Sequence, residues 1–130
     1  MYIRIDSTSS TPIYLQIIEQ IKSRLLSGRL EAGERLPSIR ELAVQLTINP
    51  GTVAKAYQEL EKEGVVEIVK GTGVYVSQHS SEYADLEKSK FIIRRLAGTI
   101  AEAISFGMET SEMKSLLDEA IRDFEKRRAK

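Results

Sequence analysis

The sequence predicts a mostly helical α+β chain: a winged helix-turn-helix domain followed by a short two-helix C-terminal segment. Three observations carry this expectation. Leu36–Leu60 reads as two short, capped helices joined by a tight turn. Residues 65–77 hold β-branched runs on either side of a glycine-bearing link, the pattern of a hairpin. From about Tyr83 onward, apolar residues recur at helical spacing. The winged domain is expected over residues 1–78, with the helix-turn-helix at about 38–62 and the wing at 65–77, and the tail over 79–130.

Tyr2-Ile3-Arg4-Ile5 suggests a brief extended segment, and Asp6 to Ser10 is polar and turn-like. Thr11-Pro12 then opens a helix as cap and first residue. Ile13, Tyr14, Ile17, Ile18, Ile21 and Leu25 give that helix a broad core face, and Gly28 ends it. Gly33 permits a sharp turn before Glu34-Arg35-Leu36, which can pair as a very short strand.

The helix pair follows. Ser38-Ile39-Arg40-Glu41 fits a capping box, and Ile39, Leu42, Ala43 and Leu46 form an apolar stripe with Arg40 and Val44 off it. Thr47 occupies the turn. A β-branched residue is strained at positive φ, so a slightly opened turn is expected. Asn49 caps the second helix and Pro50 fits its first position. Val53, Ala56, Tyr57 and Leu60 make the buried stripe, while Gly51, Thr52, Lys55 and Gln58 face away. None of those four is acidic; Glu59, Glu61 and Glu63 come only at the far end. A polar, acid-free leading face on the second helix of such a pair suits the major groove of DNA. Gly64 stops the helix.

In the wing, Val66 and Ile68 alternate with their neighbours, and Val74 and Val76 flank Tyr75 on the return. Lys70-Gly71-Thr72-Gly73 forms the link, a tip small enough to approach a sugar–phosphate backbone. It is no phosphate-binding loop, because no Gly-Lys-Ser/Thr follows and no helix begins there. Gln78 to about Ser81 reads as a polar linker that includes the single histidine, His79. In the tail, Ile93, Leu96, Ile100 and Ile104 stripe one helix to Phe106, and Gly107 closes it. Thr110 can cap the last helix, striped by Met113, Leu116, Leu117, Ile121 and Phe124 and ending on Lys126, Arg127, Arg128 and Lys130. Two such helices are too short for a core of their own, so their stripes are expected to meet a second copy in a dimer, the alternative being to pack back on the winged domain of the same chain.

Composition narrows the function. The 130 residues are 42% apolar, contain no cysteine, and balance 19 basic against 19 acidic side chains. Any DNA surface must therefore be a local patch, reinforced by dimerisation. No apolar run approaches the ~20 residues of a membrane span, and no signal peptide opens the chain, so a cytoplasmic protein is expected. With no cysteine, one histidine and no clustered carboxylates, there is no nucleophile–base constellation, and no metal or cofactor is expected. A second reading, a winged module for protein interaction without operator binding, accounts for the zero net charge.

The motifs resemble the GntR family of bacterial transcription regulators. The similarity rests on Pro12-Ile13-Tyr14-x-Gln16-Ile17, on Leu36-Pro37-Ser38-x-Arg40-x-Leu42-Ala43, on Asn49-Pro50-x-Thr52-Val53-x-Lys55-Ala56-Tyr57, and on Gly71-x-Gly73-x-Tyr75-Val76. The two-helix tail resembles the YtrA subfamily. The resemblance implies a dimer that binds double-stranded operator DNA, usually to repress transcription, with a transporter operon as the subfamily's typical target. It implies that Arg40 contacts DNA from the first helix of the pair, that Asn49, Thr52 and their exposed neighbours enter the major groove, and that Gly71 carries the wing to the backbone. Ser38, Gly51, Lys55, Lys70 and Thr72 complete the candidate surface. Many family members have arginine where Pro50 and Ala54 stand here, so the base-reading set is small. The chain has no room for the metabolite-binding domain of the larger branches, and no residue marks an effector site.

Overall fold

The structure, a computed structural model, describes residues 1–129; Lys130, one of the terminal cations noted above, lies outside the described residues. The chain divides into two compact units, Met1–Lys88 and Ser89 onward. The elements are α1 (Ile13–Leu26), β1 (Arg35–Leu36), α2 (Ile39–Leu46), α3 (Pro50–Lys62), β2 (Val66–Val69), β3 (Gly73–Val76), α4 (Ser80–Ser105) and α5 (Thr110–Arg128). This is the mostly helical, winged arrangement expected.

In the first unit α1 and α3 pack together, α2 packs on α3, and the sheet closes the remaining side. Ile17, Ile21, Leu42, Val53, Ala56, Tyr57 and Leu60 lose all contact with solvent. The sheet is antiparallel in the order β1-β3-β2, with Leu36 opposite Val74 and Val66 opposite Val76. Strand alternation turns Leu36, Val66, Val74 and Val76 inward. Gly73, expected in the link, pairs with Val69 and belongs to β3.

The N-terminal segment joins no strand. Instead α1 holds it with polar side chains at i, i+4 and i+8. Gln16 accepts from the Asp6 N–H (2.8 Å) and donates to the Asp6 and Thr11 carbonyls. Gln20 accepts from the Arg4 N–H and donates to the Arg4 carbonyl. Arg24 donates to the carbonyl of Tyr2. This ladder seats Ile3 in the core.

Several boundaries differ from the sequence reading, each for a local reason. Pro12, not Thr11, is the N-cap of α1, because its ψ of 145° is still extended. Its carbonyl takes the first helical bonds from Leu15 and Gln16. The turn between α2 and α3 does not open. Thr47 adopts the left-handed conformation outright, at φ 55° and ψ 50°. In return Ile48 donates to the Ala43 carbonyl and packs against the core, so a Schellman ending offsets the strain. The stretch from Gln78 to Ser81 is no free linker. Ser77 donates its N–H to Val65 and accepts from the His79 N–H, and Ser77 and Ser80 are buried. α4 therefore begins at Ser80, and Ala84 on its second turn completes the core, so the first unit reaches Lys88 and not residue 78. Lys22 ties the same region together, 2.6 Å from Glu63, which also accepts from the Tyr83 hydroxyl. Burial opposes the Lys22 charge, but the hydrogen bonds to Glu63 and Tyr83 outweigh it and raise its pKa.

In the second unit, Glu109 rather than Thr110 is the N-cap of α5: it is the last extended residue, at ψ 160°. Gly107 ends α4 as expected, with Met108 donating to the Ala103 carbonyl. No residue of this unit is buried among those described, so α4 and α5 keep their apolar stripes exposed within one chain. Ile93 is 64% exposed and Phe124 61%.

Two outcomes follow from this architecture. Thr47→Gly should stabilise the chain by about 1 kcal/mol, since glycine adopts the left-handed region without strain; the urea midpoint of unfolding checks this. Tyr57 is the second. Burial, with Glu41 adding a smaller push, holds its pKa well above the ordinary 10.0. The unfolded chain loses that proton above pH ~10 and the native state keeps it, so stability should fall as pH rises past that value, by up to ~1.4 kcal/mol per unit. Tyr57→Phe should flatten the fall and, by leaving the Pro37 carbonyl unpaired, cost about 1–3 kcal/mol at neutral pH. Denaturant titrations at pH 8, 10 and 11 measure both.

Candidate nucleic-acid interface

The two helices of the pair are held from behind, and this fixes what they present. α3 buries Val53, Ala56, Tyr57 and Leu60, and the Tyr57 hydroxyl donates to the Pro37 carbonyl at 2.7 Å. That bond links α3 to the residue just ahead of α2. The opposite face carries Gly51, Lys55 and Gln58, all exposed, with Thr52 half-buried. No acidic side chain interrupts it.

The start of each helix is capped as the sequence predicts. Ser38 Oγ accepts from the Glu41 N–H at 3.0 Å, and Asn49 Oδ1 accepts from the Gly51 N–H at 2.7 Å. Both oxygens thus serve the helix ends first. Gly51 leaves room for this cap: a Cβ there would lie 3.0 Å from Asn49 Oδ1, a tight approach. The Glu41 carboxylate lies 3.7 Å from the Arg35 guanidinium. Arg40 is exposed on α2.

The wing tip is exposed from Lys70 to Thr72. The Thr72 N–H donates to the Val69 carbonyl, and Gly71 takes φ 80° to close the turn. Beside the tip, the Arg35 side chain crosses Gly73, with Nε 3.2 Å from where a Cβ would stand. The candidate residues thus occupy three exposed ledges: the start of α2, the leading half of α3 and the wing tip. Arg35 joins the first to the third.

Sequence reasoning missed three features. Arg35 was seen only as part of a short strand; its outward place in β1, opposite Tyr75, is what directs it to Gly73 and Glu41. Tyr14 was assigned to the α1 core face, yet its ring lies 3.9 Å beneath the Lys55 ammonium. The acidic end of α3 is engaged internally: Glu59 lies 3.4 Å from Lys62, Glu61 accepts from the Ile68 N–H, and Glu63 pairs with Lys22. Among the described residues no group of side chains could hold a metal ion.

Comparison with known proteins agrees with this geometry. The family described as bacterial regulatory proteins, gntR family, matches residues 13–76. The HTH-type transcriptional repressor YtrA of Bacillus subtilis is 41% identical over 121 residues, covering 93% of each chain. A transcriptional regulator from Oenococcus oeni superposes with a TM-score of 0.78 at 32% identity, over 92% of this chain and 99% of that one. The DNA-binding domain of AraR, solved in complex with operator ORX1, matches 59% of this chain and 96% of its own, with a TM-score of 0.52 at 26% identity.

Asn49→Ala should lower stability by about 1 kcal/mol through loss of the α3 cap. Asn49→Asp, which restores an acceptor, should recover most of it. Thermal and denaturant unfolding of the three proteins compare them directly.

Proposed function

The chain belongs to the GntR family of bacterial regulatory proteins, and on that premise we propose that it is a homodimeric repressor that grips an operator with two copies of the winged unit. It is a DNA-binding transcriptional regulator. The observation that carries the finer reading is α3: a helix pinned on its buried side, capped at its start, and free of acid on its exposed leading face. That face suits the major groove, where Thr52, Lys55 and Gln58 are within reach of base edges or groove walls. Arg40 reaches DNA from α2. Lys70, Gly71 and Thr72 carry the wing to the neighbouring backbone, where glycine permits close approach.

Dimerisation rests on the second unit. Ile93, Leu96, Ile100 and Ile104 on α4, and Leu116, Leu117, Ile121 and Phe124 on α5, are all exposed in one chain, with Met113 half-exposed. A second copy that buries these stripes resolves an apolar surface too extensive for solvent. Dimerisation also supplies what a neutral chain lacks, since two small cationic patches on one duplex bind far better than one. The subfamily resemblance makes a transporter operon the first candidate for the regulated genes. The protein acts in the cytoplasm, where that operon lies.

The reading makes two measurable claims. Arg40→Ala should weaken binding to the protein's own promoter by ~1–3 kcal/mol if Arg40 reads a base, with relaxed sequence preference. An even loss across sequences, with a salt slope flatter by about 1, assigns Arg40 to a phosphate. Unchanged affinity in the folded variant counts against both. Leu96→Glu with Leu117→Glu places charge on both stripes without touching any residue buried in one chain. The variant should sediment as a folded monomer with much weaker promoter binding; a wild-type chain that is monomeric at micromolar concentration refutes the dimer.

A further inference from the structure

We propose that Tyr14 is a positioning residue for DNA binding: its ring holds the Lys55 ammonium at the flank of α1 and presents it to a backbone phosphate rather than to a base. The inference rests on the operator-binding reading above and adds a residue and a contact type to it.

The geometry starts from two anchored helices. Tyr14 sits in the first turn of α1, half-buried, beside Ile13 and Ile17. Lys55 stands in the second turn of α3, exposed, between the buried Val53 and Ala56. Its Nζ lies 3.9 Å from the centre of the Tyr14 ring, well within cation–π range. Among the described residues Lys55 forms no ion pair, and the glutamates further along α3 are engaged by Lys62, Ile68 and Lys22.

The choice of partner matters. A carboxylate would position the lysine by cancelling its charge, which would then be lost to DNA. A phenol ring is neutral. It restrains a flexible four-carbon side chain while leaving the whole charge available. The direction of restraint matters too. Base reading from α3 requires a side chain extended towards the groove floor. Lys55 is drawn sideways instead, off the groove floor and towards the first turn of α1, the helix packed against α3. A point-charge ammonium held there is suited to a phosphate. Drying of the contact on binding strengthens the ring's hold, because the attraction grows as water leaves.

The test uses the full chain, an equilibrium binding measurement by fluorescence anisotropy, and two duplexes: the protein's own promoter and a random sequence. Tyr14→Leu should bind both about two- to five-fold more weakly, while Tyr14→Phe, which keeps the ring, should match wild type. Lys55→Ala should weaken both duplexes by similar factors and flatten the salt dependence of log K by about 0.9. In the Lys55→Ala background, Tyr14→Leu should cause no further loss. Circular dichroism and thermal unfolding accompany each variant, and the phenylalanine variant keeps the test decisive if the leucine variant unfolds. Wild-type affinity for Tyr14→Leu, tighter binding by it, a loss in Tyr14→Phe equal to that in a folded Tyr14→Leu, or a loss that persists without Lys55 overturns the positioning role. An effect of Lys55→Ala confined to the promoter duplex overturns the phosphate assignment. Absence of any salt-dependent binding by the wild-type protein overturns the operator reading itself, and so is distinct from these.

Discussion

The packing of α3 against α1 is the constraint on which the remainder of the molecule depends. Val53, Ala56, Tyr57 and Leu60 meet Ile17 and Ile21 with no solvent access on either side. Each fully buried aliphatic or aromatic side chain contributes roughly 1.5–3 kcal/mol, so this face outweighs the weak intrinsic helicity of a segment that begins Pro-Gly-Thr-Val. With the inner face locked, α3 cannot rotate about its axis, and the outer face holds a fixed direction. The hydroxyl of Tyr57 extends the same constraint to α2 through Pro37. The helix pair therefore presents its polar ends as one rigid piece, which reduces the ordering needed when DNA arrives.

Electrostatics in this chain is a matter of placement. A formal net charge of zero gives no long-range attraction to nucleic acid. The structure answers by giving the acidic residues near α3 internal work. Glu61 accepts from the Ile68 N–H within β2, Glu63 draws in Lys22 and Tyr83, and Glu41 approaches Arg35. These are partly exposed pairs of small individual worth. Their effect lies in where they leave charge unspent: Arg40, Lys55 and Lys70 remain outward on the ledges of the winged unit. The protein–DNA attraction that results is short in range and geometric in character.

The two units differ in how they meet the demand for a core. The first closes its own, using even the N-terminal segment, which the Gln16, Gln20 and Arg24 ladder lays along α1. The second is regular yet buries nothing among the described residues. Most helical stability in proteins comes from tertiary packing of an apolar face, and on α4 and α5 those stripes stay exposed within one chain.

The sequence by itself determined the elements and their faces. Apolar spacing, Ser38 and Asn49 as caps, and glycines at 28, 64 and 107 are local signals, and local backbone and hydration physics reads them the same way in any context. The family resemblance, carried by motifs from Pro12 to Val76, was legible for the same reason. Only the tertiary structure decided the rest, because it depends on residues distant in the chain. Thr47 takes a strained conformation that its own preferences oppose, since Ile48 gains a place in the core. Ser77 at the end of the wing and Ser80 in the expected linker are buried because Val65 supplies an acceptor and the first turns of α4 finish the core. Tyr14 lies beneath Lys55 because two helices 41 positions apart in sequence cross there. No local pattern encodes such a meeting; it arises from the shape of the packed interior.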